Sequence, residues 1–201
     1  MSKRILFMVL TMALAIYAGA ASAQQLSLGQ LSQYLNQLQT AQGGFTQINQ
    51  DGTISTGQIY IKRPGRIRFE YNAPNDALVM AGGGQLAVFD PRSNIGPDRY
   101  PLNQTPLGII LEANVDLNRE RMVTNIVSDG TTTTITAQDP DNPQYGNIKL
   151  VFTANPVELR QWIITDELGT ETTVILNDLE TGGAIGDIQF NIVAEMRQRG
   201  Y

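Results

Sequence analysis

Gly57-Gln58-Ile59-Tyr60-Ile61-Lys62-Arg63-Pro64-Gly65-Arg66-Ile67-Arg68-Phe69-Glu70-Tyr71 alternates strictly on both sides of one break. Ile67, Phe69 and Tyr71 share one face, and Arg66, Arg68 and Glu70 share the other. Period two over such a run is the pattern of a strand with one buried side. Pro64-Gly65 is a turn signal between the two arms. The stretch therefore predicts two antiparallel strands, Thr53–Lys62 and Arg66–Tyr71. Arg66 and Arg68 fall on the face expected to be solvated. Arg63 falls by parity with Ile59 and Ile61 on the apolar face. A guanidinium there either snorkels to the surface or is buried; if buried it must find acceptors, because an unpaired buried charge costs several kcal/mol. Carbonyls at a helix end are suitable acceptors.

The same pattern continues outward. Ala77–Ala81 and Gln85–Phe89 flank Gly82-Gly83-Gly84 and predict a hairpin. Further strands are expected at Arg121–Val127, Thr131–Ala137, Asn147–Thr153, Glu158–Thr165, Thr170–Asn177 and Asp187–Ile192. Turn residues such as Asp129-Gly130, Asn155-Pro156 and Gly182-Gly183 separate them. Regular strand spacing with few helices implies an antiparallel sheet that is closed or strongly curved. One amphipathic helix is expected over Ser27–Gln42, with Leu28, Leu31, Leu35 and Leu38 on one face. Ser27 and Gln30 make a capping box, and Gly43-Gly44 is read as its end.

Thr105-Pro106-Leu107-Gly108-Ile109-Ile110-Leu111 interrupts the strands. Thr105 suits a cap and Pro106 the first helical position. So apolar a short helix either plugs a barrel as ordinary core or covers a cavity as a lid. Pattern alone favours the plug.

The N-terminus has its own logic. Lys3 and Arg4 precede an apolar run from Ile5 to Tyr17, then small residues ending Ala21-Ser22-Ala23. That is the tripartite form of an export signal cleaved after residue 23. The run is too short for a bilayer core, which takes about 20 apolar residues. Residues 24–201 are expected to form one exported domain with net charge −7, against −5 for the whole chain. The acidic balance disfavours nucleic acid as a partner. The chain has no Cys and no His. The fold is therefore expected to rest on its apolar core without disulfides, and the cleavage point offers no thiol for a lipid anchor. Cys–His nucleophile pairs and typical zinc sites are excluded. Asp139, Asp141 and Asn142 lack the calcium-loop pattern and suit a turn. No Gly-x-Ser-x-Gly elbow occurs. No enzyme, metal site or cofactor is expected.

Phe45-Thr46-Gln47, then Gly57 to Pro64, Phe69-Glu70-Tyr71 with Pro74, the Gly82–Gly84 turn and Phe89-Asp90-Pro91 together resemble the LolA family, periplasmic carriers of outer-membrane lipoproteins. Thr105–Leu111 resembles that family's lid segment. The C-terminus departs from it: Phe190-Asn191-Ile192 runs on to Tyr201 with no Pro. The resemblance implies a mainly β fold with short helices, an incomplete antiparallel β-barrel with an α-helical lid over a hydrophobic cavity. It implies a periplasmic chaperone that takes acylated lipoproteins from an inner-membrane lipoprotein-releasing ABC transporter to an outer-membrane acceptor of LolB type. It makes Arg63 the latch that holds the lid, and turns Leu107, Ile109, Ile110 and Leu111 from plug into lid. The expected cavity lining is Leu31, Leu35, Leu38, Ile59, Ile61, Ile67, Phe69 and Tyr71. A monomer is expected. The alternative is a related binding module of the same fold, a lipoprotein sensor or a glycerolipid carrier.

Overall fold

The structure is a computed structural model describing residues 25–201. The expected signal segment, residues 1–23, lies outside the described residues. Helix α1 spans Leu28–Gln37, and Ser27 caps it with the expected capping box to Gln30. Strands β1 to β6 follow at Thr40–Asn49, Ile54–Lys62, Arg66–Tyr71, Leu78–Gly82, Gln85–Phe89 and Asp98–Pro101. A single 3-10 turn, Leu102–Gln104, leads into helix α2 at Leu107–Leu111. Strands β7 to β11 are Val123–Ser128, Thr132–Gln138, Asn147–Ala154, Val157–Thr165 and Glu171–Thr181. A 3-10 turn at Asp187–Phe190 and helix α3 at Ile192–Gln198 close the chain.

All eleven strands form one antiparallel sheet in the order β6-β5-β4-β3-β2-β1-β11-β10-β9-β8-β7. Two meanders, β1 to β6 and β7 to β11, are joined where β1 pairs with β11. The terminal strands β6 and β7 are not paired with each other, so the sheet is an open barrel, as the family resemblance implied, where the strand spacing left a closed or a strongly curved sheet. The inward faces of the strands meet α1 and α2. Leu31, Leu35, Ile59, Ile61, Ile67, Ile110, Leu111, Ile148, Phe152 and Trp162 share this core and are each under 5% exposed.

Four expectations are corrected. Helix α1 ends at Gln37 with Leu38 as its C-cap, and Gly43-Gly44 lie inside strand β1. Those glycines mark a close approach of strands. A Cβ on Gly43 would sit 2.8 Å from the carbonyl oxygen of Asn177, where β11 bulges against β1. Gly in a strand marks such a bulge as readily as a helix end. Asp187–Ile192 is helical turn, not strand. The remaining two concern Arg68 and Thr105.

Arg68 is not solvated. The segment from Asp187 to Gln198 folds over the outer face of β3 and β4, and Arg68 bonds Glu70 at 2.6 Å and Glu195 at 2.9 Å. Beneath that segment Leu78, Met80, Ala87, Phe89 and Ile192 make a second, smaller core. Arg66 is partly exposed and pairs with Asp187 at 2.7 Å. Finally, Thr105 does not cap α2. Its hydroxyl donates to the carbonyl of Leu102 at 2.8 Å, and Pro106 occupies the N-cap.

Candidate functional site

Helix α2 is built to lie flat on its neighbours. A Cβ at Gly108 would stand 2.5 Å from the Leu102 carbonyl oxygen, so only glycine lets the helix rest on the preceding turn. Its other four residues, Leu107, Ile109, Ile110 and Leu111, are all at most 5% exposed. The helix ends at Glu112, and its last carbonyls need partners from elsewhere.

Arg63 supplies one. Its Nη2 donates to the Glu112 carbonyl at 2.5 Å and to Asn36 Oδ1 at 3.3 Å. The Gly65 amide donates to the Leu111 carbonyl at 2.9 Å. Arg63 is only 4% exposed, and its Nε and Nη1 have no hydrogen-bond partner among the described residues. Burial lowers its pKa, and the nearby Glu112 carboxylate works in the opposite direction. Glu112 is itself pushed up, chiefly by burial, with Arg119 acting against the shift. A guanidinium at the C-terminal end of a helix also meets the favourable end of its dipole.

Helix α1 holds the chain that leaves the lid, a role not visible in the sequence. Asn36 Oδ1 accepts from the Val115 amide at 2.9 Å, and its Nδ2 donates to the Val115 carbonyl at 2.9 Å. One turn earlier the Ser32 hydroxyl accepts from the Leu117 amide at 3.0 Å. An asparagine one residue after a stripe leucine, Leu35, looks like solvated helix surface. Nothing local marks it as a tie to residues 78 and 79 positions away.

A cavity of about 460 Å³ opens between the sheet and α2. Phe69, Tyr71, Leu107, Trp162 and Val174 form much of its wall. Tyr100 and Leu168 stand at its rim and are 49% and 84% exposed, an apolar lip facing water. Tyr71 donates to Gln47 Oε1 at 2.6 Å, and burial pushes its hydroxyl up to about 12. A second hollow of about 460 Å³ is bordered by Leu102, Ile109, Leu111, Glu112 and Tyr145.

Of the residues singled out in the sequence, Phe69, Tyr71 and Leu107 line the first cavity, and Ile109 and Leu111 the second. Leu31, Leu35, Leu38, Ile59, Ile61, Ile67 and Ile110 border neither. They are packed in the continuous core under α1 and α2. The space that the parity pattern marked as interior is thus mostly filled by these two helices.

An open antiparallel barrel whose apolar interior lies under a short, few-bonded helical lid is the architecture of a holder of hydrophobic ligands. The family profile described as outer membrane lipoprotein carrier protein LolA matches residues 36–193. The chain belongs to the LolA family. It is 24% identical over 196 residues to the outer-membrane lipoprotein carrier protein of Pseudomonas entomophila, with 93% of each chain covered. It is 27% identical over 188 residues to the protein of that name in Pseudomonas aeruginosa strain UCBPP-PA14, covering 89% of each. A Vibrio parahaemolyticus domain named for outer-membrane lipoprotein sorting superposes with TM-score 0.50 at 9% identity. That alignment covers 82% of this chain and 94% of the other. It shows the shared fold. Among the described residues, no helix is long and apolar enough to cross a membrane.

Proposed function

We propose that this chain is a periplasmic carrier that shields the acyl chains of lipoproteins and hands them on to an outer-membrane acceptor of LolB type. The observation that carries the reading is the lid: four buried apolar residues closed over the barrel and tied at one end by Arg63, Gly65 and Asn36. In water, acyl chains cost ~0.8 kcal/mol per CH₂. A carrier gains that by burying them, and must then give it back without chemistry of its own. The closed, empty form supplies the return. Lid bonds worth ~0.5–1.5 kcal/mol each form when cargo leaves, and this favours release. The protein therefore acts by binding and release, not by turnover.

The rest of the cycle follows from this role. Residues 1–23 direct export and are removed, an inner-membrane ABC transporter loads the cavity, and the protein crosses the periplasm untethered. Arg63→Leu tests the latch. It removes the bond to the Glu112 carbonyl, so the loaded form is no longer disfavoured. Purified Arg63→Leu is expected to load acylated lipoprotein but retain it, with transfer to acceptor vesicles at least about tenfold slower, as loss of ~1.4 kcal/mol implies. Transfer at the unaltered rate would remove Arg63 from the mechanism.

A further inference from the structure

Trp162 is fully buried and forms part of the wall of the cavity between sheet and lid. Among the described residues, its indole Nε1 has no hydrogen-bond partner. The ring packs edge to face against Phe69, with centroids 6.2 Å apart. A phenylalanine would supply the same packing without an orphaned donor. Buried tryptophans usually find an acceptor, and a native exception calls for an explanation. Tyr71 and Gln47 in the same wall bond each other, and neither accepts from Nε1 among the described residues.

The charge of the cavity defines the acceptor. Its described lining contains no Lys or Arg, while Asp166 and Glu167 lie among its polar residues. A phosphate or carboxylate would meet like charge and no counter-ion. A neutral carbonyl avoids both penalties, and the apolar wall of Phe69, Leu107 and Val174 accommodates the hydrocarbon attached to it.

We infer that Trp162 Nε1–H, sealed in the closed form, becomes a polar subsite of the cavity when the lid moves, and then donates to the ester carbonyl of a bound long-chain acyl group. The inference rests on the acyl-carrier reading and sharpens it. The cavity recognises the acyl linkage, not only the chain, and an indole N–H left unpaired in the empty form favours cargo that brings an acceptor.

The test needs no mutation at first. Two matched pairs of probes are titrated into the purified wild-type protein: a diacylglyceryl-cysteine peptide and its counterpart with both esters replaced by ether links, and palmitoyl lysophosphatidylcholine and its ether counterpart. Trp162 is the only tryptophan in the chain, so its emission reports this one N–H. The ester form is expected to bind about fivefold to tenfold tighter than the ether form, the size of one hydrogen bond to an otherwise unpaired buried donor. It is also expected to shift Trp162 emission to the red, while the ether form is not. Trp162→Phe, followed by titration calorimetry because it has no tryptophan to report, is expected to bind both forms alike. Preference in the peptide pair assigns the subsite to lipoprotein cargo, and preference only in the lysophospholipid pair assigns it to phospholipid esters. Equal binding of ester and ether by the wild type overturns the subsite and leaves the carrier reading standing. Failure to bind either member of either pair overturns both. Should Trp162→Phe not fold, the wild-type pairs alone decide.

Discussion

Asn36 shows how much a single side chain can hold. It meets the amide and carbonyl of Val115, the side chain of Asn114 and the guanidinium of Arg63. Truncating it leaves the Val115 groups and part of Arg63 without partners. Asn36→Ala is therefore expected to lower stability by about 1–3 kcal/mol, read from urea denaturation, and to speed hydrogen exchange at the Val115 amide above any global change. Protection of that amide equal to wild type would show that Asn36 does not hold the lid exit. Gly57 makes a steric counterpart. A Cβ there would lie 2.0 Å from the Glu70 carbonyl oxygen and 2.7 Å from the Phe45 ring. Gly57→Ala forces β2 away from β3, and a loss of about 1–3 kcal/mol is expected from such overpacking. An unshifted midpoint in the same denaturation would refute that geometry. Arg63 was legible at this scale because a cation stood on an apolar face. Asn36 and Trp162 were not. One has the sequence context of solvated helix surface and the other that of ordinary core, and only tertiary placement gives either a role.

At the scale of elements, the C-terminal segment is the largest departure from the sequence reading. Asp187–Ile192 was expected as a strand, yet it turns and continues as α3 across the outer face of β3 to β5. Its isoleucines and phenylalanine suit either structure, and local pattern cannot see the second core they cover. Glu195 anchors α3 between Arg68 and Arg199, at 2.9 and 2.7 Å. Burial pulls its pKa up, but the bonds to Arg199 and Arg68 outweigh it and the net shift is downward. A carboxylate held low in the folded state stabilises fully above its unfolded pKa and loses that contribution as pH falls through the folded value. Thermal melts are expected to show α3 stabilisation fading below the usual glutamate range. Glu195→Gln should flatten that part of the profile and lower stability at neutral pH. An unchanged acid limb in Glu195→Gln would contradict the assignment. The hairpin β4–β5 and the pair β2–β3 were legible, since alternation and turn residues are local. Strand β1 was hidden by its two glycines, which serve contacts with β11 more than 130 residues away.

Across the whole molecule, the open barrel sets the terms of function. Its two free edges are managed. Strand β6 is only four residues and ends at Pro101, which cannot donate to a further strand. Strand β7 carries a register shift near its start. The sheet can thus stay open around a ligand space without inviting another chain. Period-two alternation announced a closed or strongly curved antiparallel sheet, and the family resemblance supplied its open form. What the sequence did not show is how full the interior is in the closed form, where α1 and α2 occupy most of the space that parity marked as cavity. On the proposed carrier role, loading has to move the lid.

The most direct test is to purify the protein and its Arg63→Leu variant from the periplasm of cells making acylated lipoproteins, and to identify by mass spectrometry what each holds. The carrier account predicts acylated lipoprotein on both, with markedly higher occupancy on Arg63→Leu. Free phospholipid alone, or no acyl-bearing ligand on either protein, would contradict it.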